Sequence, residues 1–297
     1  MPACRVFLNV IVMKMELIWK SGACVFLIGC VRAQDPGVGA FAAAEWKAVF
    51  RGVDHAAISM TVPRPVKVQL LRVKLGTPGL SVVATPDNGE APGETTGERT
   101  TSFLKRLGCQ AAVNAGPFDK VTSLEGGPLE VSGLHVSGGK VVSKDNGYPV
   151  LLIDAGGRAR IEKNPDPTGI KEAVSGFQVV LRDGKTVATD VKLHPRTGAG
   201  VSADGKTLWL LVVDGRQVGT SEGCTTVEMA GWLRAMGAEA GVNLDGGGTT
   251  TMVLADAEGK PVIINRPIHA GIPGMERPAG SHLGIRAQPL VDPVAGQ

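Results

Sequence analysis

Residues 242–254 read Val242-Asn243-Leu244-Asp245-Gly246-Gly247-Gly248-Thr249-Thr250-Thr251-Met252-Val253-Leu254. The apolar start of this run predicts a buried strand that ends at the carboxylate of Asp245. Three glycines follow, and a loop without side chains would let backbone N–H groups contact an anion. The same glycines could instead form a tight turn with positive φ between two strands. We favour a binding site, because hairpin turns rarely need three glycines between Asp and Thr.

A second carboxylate, Asp214, stands in the same kind of sequence. It ends the apolar run Leu208–Val213, which predicts an interior strand, and Gly215 and Arg216 follow it. A charged residue at the end of a buried strand usually lies at an edge that faces solvent or a cleft. Each aspartate alone is more often a turn-former. If the two strands are neighbours, however, both carboxylates meet at one rim, and glycoside cleavage usually requires two carboxylates.

Turn signals recur along the chain between short β-rich runs. They are Gly138-Gly139, Gly156-Gly157, Asp183-Gly184, Asp204-Gly205 and Glu258-Gly259. Each of these pairs is typical of a hairpin, so the strands that flank it are expected to be antiparallel.

Two helices are predicted. The capping box Thr225-Thr226-Val227-Glu228 begins one of them, its apolar face includes Trp232, and Gly237 ends it. A shorter helix is predicted from Thr101 to Leu107. Together these patterns predict an α+β fold, a mainly antiparallel or mixed β-sheet with a few packed helices, in a single domain over residues 45–290.

Composition excludes several classes of function. The 297 residues include 31 basic and 28 acidic ones, a net charge of +3 without a basic run, so no nucleic-acid partner is predicted. An aromatic content of 4% argues against long sugar-stacking platforms. The five histidines lack metal-ligand spacing, and the chain has no Walker loop, dinucleotide fingerprint or nucleophile elbow.

Residues 1–33 have the layout of a secretory leader, in which lysines precede an apolar stretch that ends near the small residue Ala33. Leu27-Ile28-Gly29-Cys30 looks like a bacterial lipoprotein box, so cleavage after Ala33 and lipid attachment at Cys30 both remain open. The stretch is too short for a permanent membrane span. We therefore predict an exported protein, periplasmic, extracellular or lipid-anchored to the envelope, with no integral membrane span, a linker at residues 34–44 and a tail at residues 291–297.

Outside the predicted leader the only cysteines are Cys109 and Cys224. After export they could form one disulfide, and two separate buried thiols are an equal alternative. A catalytic cysteine is not predicted, because no histidine stands in a context that suggests a partner for it.

Ordered blocks along the chain resemble the phosphodiester glycosidase family. Besides the stretch around Asp245, they are Val113-Asn114-Ala115-Gly116-Pro117-Phe118, Gly133–Val142, Arg196–Val201, Val213-Asp214-Gly215-Arg216-Gln217 and Glu276-Arg277-Pro278. The resemblance covers roughly residues 45–286. The chain departs from the commoner family form at Ala115 and Pro117, which replace a glycine and an aromatic residue. It departs again after Arg277, where the usual Asn-containing continuation is missing.

The resemblance implies an exported glycosidase that hydrolyses the glycosidic bond of a sugar-1-phosphodiester. An N-acetylglucosamine-1-phosphodiester or a cell-envelope glycopolymer would be such a substrate. Asp245 is expected to be the nucleophile or general base, and Asp214 to assist or orient. Because the leaving phosphate monoester has a second pKa of about 6, groups that hold phosphate should matter more than a strong general acid.

The expected substrate-binding residues share the ability to hold phosphate or to orient a sugar. They are Asn114, Arg196, Arg216, Arg277, Gly246, Gly247, Gly248, Thr249 and Thr250. Guanidinium groups pair bidentately with phosphate oxygens, although an exposed arginine is usually a solvated surface residue. Asn114 would orient a sugar hydroxyl or a water, and a simple turn asparagine is the alternative.

No cofactor is expected to be required, although a divalent cation between the two carboxylates remains open. Neither metal ligands nor an oligomeric state is predicted. The expected partner is a sugar phosphodiester or a phosphate-containing glycan. The alternative function is a non-catalytic envelope module that binds phosphate-containing glycans through the same arginines and glycine loop, and that would tolerate loss of the aspartate pair.

Overall fold

A computed structural model describes residues 37–290 of the chain. In this part the strands are, in chain order, β1 (Lys47–Phe50), β2 (Val53–Met60), β3 (Val66–Lys74), β4 (Ser81–Ala84), β5 (Thr95–Thr96), β6 (Ala111–Asn114), β7 (Pro128–Leu129), β8 (His135–Ser137), β9 (Lys140–Ser143), β10 (Pro149–Asp154), β11 (Ala159–Lys163), β12 (Ile170–Ser175), β13 (Gln178–Arg182), β14 (Lys185–Thr186), β15 (Arg196–Val201), β16 (Thr207–Val213), β17 (Ala240–Asn243), β18 (Met252–Ala255), β19 (Pro261–Ile263), β20 (Ile268–His269), β21 (Ile272–Pro273) and β22 (His282–Arg286). The α-helices are α1 (Val38–Ala42), α2 (Thr100–Leu107) and α3 (Thr226–Ala235), and Gly247–Thr249 forms a single 3-10 turn.

Three sheets hold most of these strands. The largest has the order β1-β2-β3-β16-β15-β17-β13-β14, and the other two have the orders β11-β10-β12-β8-β9 and β19-β18-β6-β22-β4. The strand pairs within residues 37–290 are antiparallel. These sheets and few helices confirm the predicted α+β fold.

The five predicted hairpin turns are confirmed. They join β8 to β9, β10 to β11, β13 to β14, β15 to β16 and β18 to β19. The predicted capping box at the start of α3 is also confirmed, since the Thr225 side chain accepts from the Glu228 N–H and the Glu228 carboxylate accepts from the Thr225 N–H. The shorter predicted helix is α2, which begins one residue earlier than expected.

Strand β16 is buried on both faces, which explains its unbroken apolar sequence. Leu208, Leu210 and Val212 pack into the core between the large sheet and the other two sheets. The alternate residues of the strand pack into a second core, beneath α1 and α3. Because successive side chains of a strand point to opposite faces, a strand covered on both sides has no polar alternation.

Residues 34–44, predicted as a linker, include α1. Its Phe41 side chain is buried and stacks on Trp232 of α3, with ring centroids 4.5 Å apart. This part of the segment therefore packs onto the domain. The predicted leader and tail lie outside the described residues. No helix within residues 37–290 combines the length and apolar character that crossing a membrane requires.

Cys109 and Cys224 are two separate buried thiols and not a disulfide, which settles the alternative that the sequence left open. Burial raises the pKa of both thiols, that of Cys109 to about 11. Both side chains therefore stay protonated at neutral pH and act as small apolar core residues.

Candidate functional site

Strands β16 and β17 deliver their carboxylates to the same edge of the large sheet. The sequence left open whether these two strands are neighbours. In the structure they are not, because β15 lies between them and is antiparallel to both. Two strands that are both antiparallel to a third run in the same direction, so Asp214 and Asp245 leave the sheet at one edge, where β15 begins at Arg196. We call this edge the rim.

Asp245 is the less buried of the two carboxylates at the rim. Its side chain is 13% exposed, the Thr249 hydroxyl donates to Oδ2 at 2.7 Å, and Nη2 of Arg277 lies 3.4 Å from the same oxygen. Burial raises the pKa of Asp245, and the charge of Arg277 and the Thr249 hydrogen bond partly offset this rise. A partly desolvated carboxylate beside a cation suits a nucleophile or an acid–base group.

Asn114 fixes the loop that follows β17. Its Nδ2 donates to the Asp245 carbonyl oxygen at 2.8 Å and to Oγ1 of Thr249 at 3.1 Å. Its Oδ1 accepts from the Thr197 hydroxyl at 2.6 Å and from the Thr251 N–H at 3.1 Å. The amide group has two donors and two acceptor positions, and all four are engaged within the protein. At 1% exposure, Asn114 positions the site and is not free to contact a substrate.

The glycine loop requires its first two glycines for steric reasons. A Cβ atom on Gly246 would lie 2.7 Å from the Pro195 carbonyl oxygen, and Gly247 has a φ of +66°. The Gly247 N–H donates to the same Pro195 carbonyl at 2.9 Å, so it cannot serve as the predicted anion donor. The loop continues as a 3-10 turn, Gly247–Thr249, before β18 begins at Met252.

The hydroxyls that follow the glycine loop are buried. Thr249 bonds within the loop, as described, and Oγ1 of Thr250 has no hydrogen-bond partner within residues 37–290. Thr250 is 1% exposed. In this structure the Thr250 hydroxyl is therefore not exposed to a phosphate group, the role that the sequence had suggested for it.

Asp214 has a structural role at the rim, unlike Asp245. Its carboxylate accepts from Nδ2 of Asn265 at 2.8 Å and from the Arg266 N–H at 2.9 Å, and Asn265 in turn accepts from the Met252 N–H. Burial raises the pKa of Asp214, and these donors partly offset the rise. The side chain thus ties the segment after β19 to the rim, and its oxygens are engaged by protein donors.

Arg196 is also engaged inside the protein. Its Nη2 is 2.8 Å from Oδ2 of Asp190, its Nε donates to the Cys224 carbonyl oxygen, and its side chain is almost fully buried. The structure therefore does not bring Arg196 to the surface of the site as a phosphate ligand. It instead joins the start of β15 to the segment before α3.

Two other guanidinium groups flank the glycine loop. The two terminal nitrogens of the Arg216 guanidinium lie 3.2 Å from the position that a Cβ on Gly247 would take. A Cβ on Gly248 would lie 3.3 Å from Nη1 of Arg277. Arg216 is exposed in a left-handed conformation with φ 57°, and its guanidinium makes no hydrogen bond or ion pair within residues 37–290. Its charge contributes to lowering the pKa of Arg277, after burial. The two cations are thus close and incompletely paired.

Two residues close to Arg277, Glu276 and His269, were not predicted from the sequence as part of the site. Glu276 accepts from the N–H and hydroxyl of Thr101 at the start of α2, which anchors the backbone beside Arg277. His269 is buried against Gly248, and its Nε2 lies 2.7 Å from the Ser123 hydroxyl. Glu276 directly precedes Arg277 in the block Glu276-Arg277-Pro278, so its position in the sequence could have indicated a role at the site. His269 had none, because its neighbours come from distant parts of the chain.

Within residues 37–290, no three histidine, cysteine, aspartate or glutamate side chains come together as a group that could hold an ion. The arrangement is a partly buried carboxylate with two cations that flank the glycine loop, and it can bind an anionic ester next to a nucleophile or base.

A family model described as phosphodiester glycosidase matches residues 107–286. No curated protein shows a significant match to the chain. Among solved structures, similarity is found to the catalytic domain of zebrafish N-acetylglucosamine-1-phosphodiester alpha-N-acetylglucosaminidase, auto-inhibited by its pro-peptide. The TM-score is 0.58 at 20% identity, over 82% of this chain and 88% of that one.

Two other solved structures are similar. One is a candidate exported protein from Burkholderia pseudomallei K96243, with a TM-score of 0.55 and 18% identity over 75% of this chain and 74% of that one. The other is a hypothetical protein from Synechocystis, with a TM-score of 0.55 and 12% identity over 80% of this chain and 62% of that one. At these identities the likeness concerns the fold.

Proposed function

The chain belongs to the phosphodiester glycosidase family, and from this premise we propose that it hydrolyses the glycosidic bond of a sugar-1-phosphodiester. The observation that carries the proposal is the position of Asp245, a partly exposed carboxylate whose Oδ2 lies 3.4 Å from the Arg277 guanidinium. With Arg216 on the other side of the glycine loop, two cations stand next to one reactive carboxylate.

In the proposed reaction the oxygen of water becomes bonded to the anomeric carbon. The bond between that carbon and the phosphate oxygen breaks, and its electron pair stays on the phosphate. Asp245 acts either as the base that takes the water proton or as the nucleophile that first forms the bond to carbon. Arg277 and Arg216 hold the departing phosphate, which needs little protonation because it is a weak base. Asp214 acts indirectly, since it positions the segment around Asn265.

The direct test uses purified protein and the methyl diester of N-acetylglucosamine-1-phosphate. Release of the free sugar together with methyl phosphate is expected. An assay with and without a chelator tests whether a divalent cation takes part. If the protein binds the diester but releases no sugar, the alternative of a non-catalytic glycan-binding module is correct instead.

Export is a further part of the proposal, supported by the leader-like sequence of residues 1–33. Expression in a bacterium followed by mass spectrometry of the mature N-terminus tests it. A chain beginning after Ala33 indicates cleavage there, and a lipid-modified Cys30 indicates anchoring to the envelope. A cytosolic full-length chain would contradict export.

Replacing Arg277 with alanine is expected to raise KM for the diester about tenfold or more, because a charge-assisted hydrogen bond is worth about 1.5–3 kcal/mol. The same change removes a charge that lowers the pKa of Asp245. The Asp245 carboxyl will then keep its proton to a higher pH. The pH at which kcat/KM falls on the acid side is therefore expected to rise. Because burial already raises the pKa of Asp245 in the wild type, we expect the acid-side fall of wild-type kcat/KM to lie above the ordinary aspartate range.

A pH–rate profile of both proteins measures this shift. Arg160→Ala, which removes an exposed arginine paired with Asp154, is the matched control and leaves the profile unchanged. An Arg277→Ala profile that coincides with the wild type would disprove the electrostatic link to Asp245.

A further inference from the structure

An aromatic pair, exposed Phe177 and half-buried Tyr148, lies beside the rim, and the proposed reaction does not use it. Phe177 is 47% exposed and meets Tyr148 edge to face, with ring centroids 5.9 Å apart and an interplanar angle of 64°. Tyr148 is the only tyrosine among the 297 residues, and aromatic residues make up 4% of the chain. Phe177 therefore offers an exposed aromatic ring beside the rim.

The backbone fixes Phe177 one strand away from Asp245. The Phe177 N–H donates to the carbonyl oxygen of Asn243 at 2.8 Å, and Asn243 ends β17 two residues before Asp245. The preceding residue, Gly176, has no room for a side chain, because a Cβ there would lie 2.6 Å from the same oxygen. This close approach holds the start of β13 tightly against the end of β17.

Tyr148 reaches the same place from another sheet. The Gly176 N–H donates to the Pro149 carbonyl oxygen at 2.8 Å, which places the start of β10 beside the end of β12. The Tyr148 N–H donates to Oδ1 of Asn146 at 3.3 Å. Asn146 also lines a cleft of about 540 Å³, but neither Tyr148 nor Phe177 is among the residues that line this cleft.

Charge and apolar surface lie on opposite sides of Asp245 along the rim. Strand order in the large sheet is β16, β15, β17, β13, so Arg216 follows a strand on one side and Phe177 precedes a strand on the other. Phe177 contacts Asn243, two residues before Asp245, and β16, which leads to Arg216, lies two strands from β17 in the sheet. A substrate with an anionic end and a sugar end would match this order.

We propose that Tyr148 and Phe177 form the subsite for the sugar ring of the substrate, with the phosphate directed toward Arg216. Ring C–H groups of a sugar carry partial positive charge and pack on the negative face of an aromatic ring. One pair of aromatic side chains suffices for one sugar ring, so a low aromatic content is no obstacle. This proposal rests on the proposed function, because it identifies which end of the phosphodiester binds where.

The test compares Phe177→Ala with the wild type on the methyl diester of N-acetylglucosamine-1-phosphate. KM is expected to rise about three- to tenfold, the range for one aromatic contact, while kcat changes less than about twofold. Phe177→Leu keeps an apolar side chain without the ring and is expected to show most of the same rise. Val262→Ala removes a hydrophobic side chain of similar exposure, 45%, and leaves KM unchanged.

A second measurement does not depend on turnover. Saturation-transfer NMR with N-acetylglucosamine-1-phosphate is expected to show transfer to the sugar ring protons in the wild type and its loss in Phe177→Ala. An active wild type with an unchanged KM and unchanged saturation transfer in Phe177→Ala overturns the subsite alone. A wild type that binds the sugar phosphate through Phe177 but hydrolyses no diester supports the subsite and overturns the proposed function. A wild type that neither binds nor hydrolyses overturns both.

Discussion

Replacing Asp245 with asparagine is expected to lower kcat/KM for a sugar-1-phosphodiester about a thousandfold, the middle of the range for loss of an acid–base group. Asparagine has nearly the same shape but cannot attack carbon or take a proton from water. The Thr249 hydroxyl and the Arg277 guanidinium can still donate to its amide oxygen. The variant should therefore keep its fold and lose its chemistry.

Steady-state kinetics and thermal unfolding of the same preparation measure the two effects separately. Asp204→Asn is the matched control, because Asp204 also precedes a glycine but lies in the turn between β15 and β16, at the other end of these strands. It should retain wild-type activity. An Asp245→Asn protein with near-normal rates would show that another group carries the reaction.

Among the substitutions considered, Asn114→Ala is expected to lower the free energy of unfolding most, by about 3 kcal/mol. The change removes four buried hydrogen bonds and leaves the Thr251 N–H and the Asp245 carbonyl without their partner, and each such group costs about 1–3 kcal/mol. For a domain of this size the loss corresponds to a fall in Tm of roughly 6–12 °C. Activity should fall as well, because the loop that carries Asp245 loses its anchor.

Urea unfolding measures the first effect. Asn88→Ala is the control, since the Asn88 side chain bonds only within its own loop, to Pro92 and Thr96, and should change stability by less than about 1 kcal/mol. If Asn114→Ala unfolds like the wild type but has a much weaker affinity for substrate, Asn114 contacts the substrate and is not a structural anchor.

Local chemistry made much of the fold predictable from the sequence. The Asp204-Gly205 turn and the Thr225 capping box are encoded within a few residues, and both are where the sequence predicts them. The family was also recognisable from ordered blocks. What a local pattern does not encode is strand order, so the position of β15 between β16 and β17 could not be predicted.

The same limit applies to side chains with distant partners. Arg196 reads as a phosphate ligand in sequence, but Asp190 and the Cys224 carbonyl occupy its guanidinium in the fold. Asn114 reads as a turn or a ligand, and only its contacts with Thr197 and Thr251 show that it anchors the site. Whether a polar residue faces solvent or the interior depends on partners far away in the chain.

The exposed turn between β18 and β19 has a practical consequence for handling the protein. Residues 257–260 are exposed, and a Cβ on Gly259 would meet no atom of the described residues within 4 Å. Strand β18 begins next to the glycine loop and leads the chain away from it to this turn. Exposed turns of this kind tolerate insertions well. A peptide tag or surface tether inserted between Glu258 and Gly259 would thus immobilise the protein with its reactive edge turned toward the bulk solution.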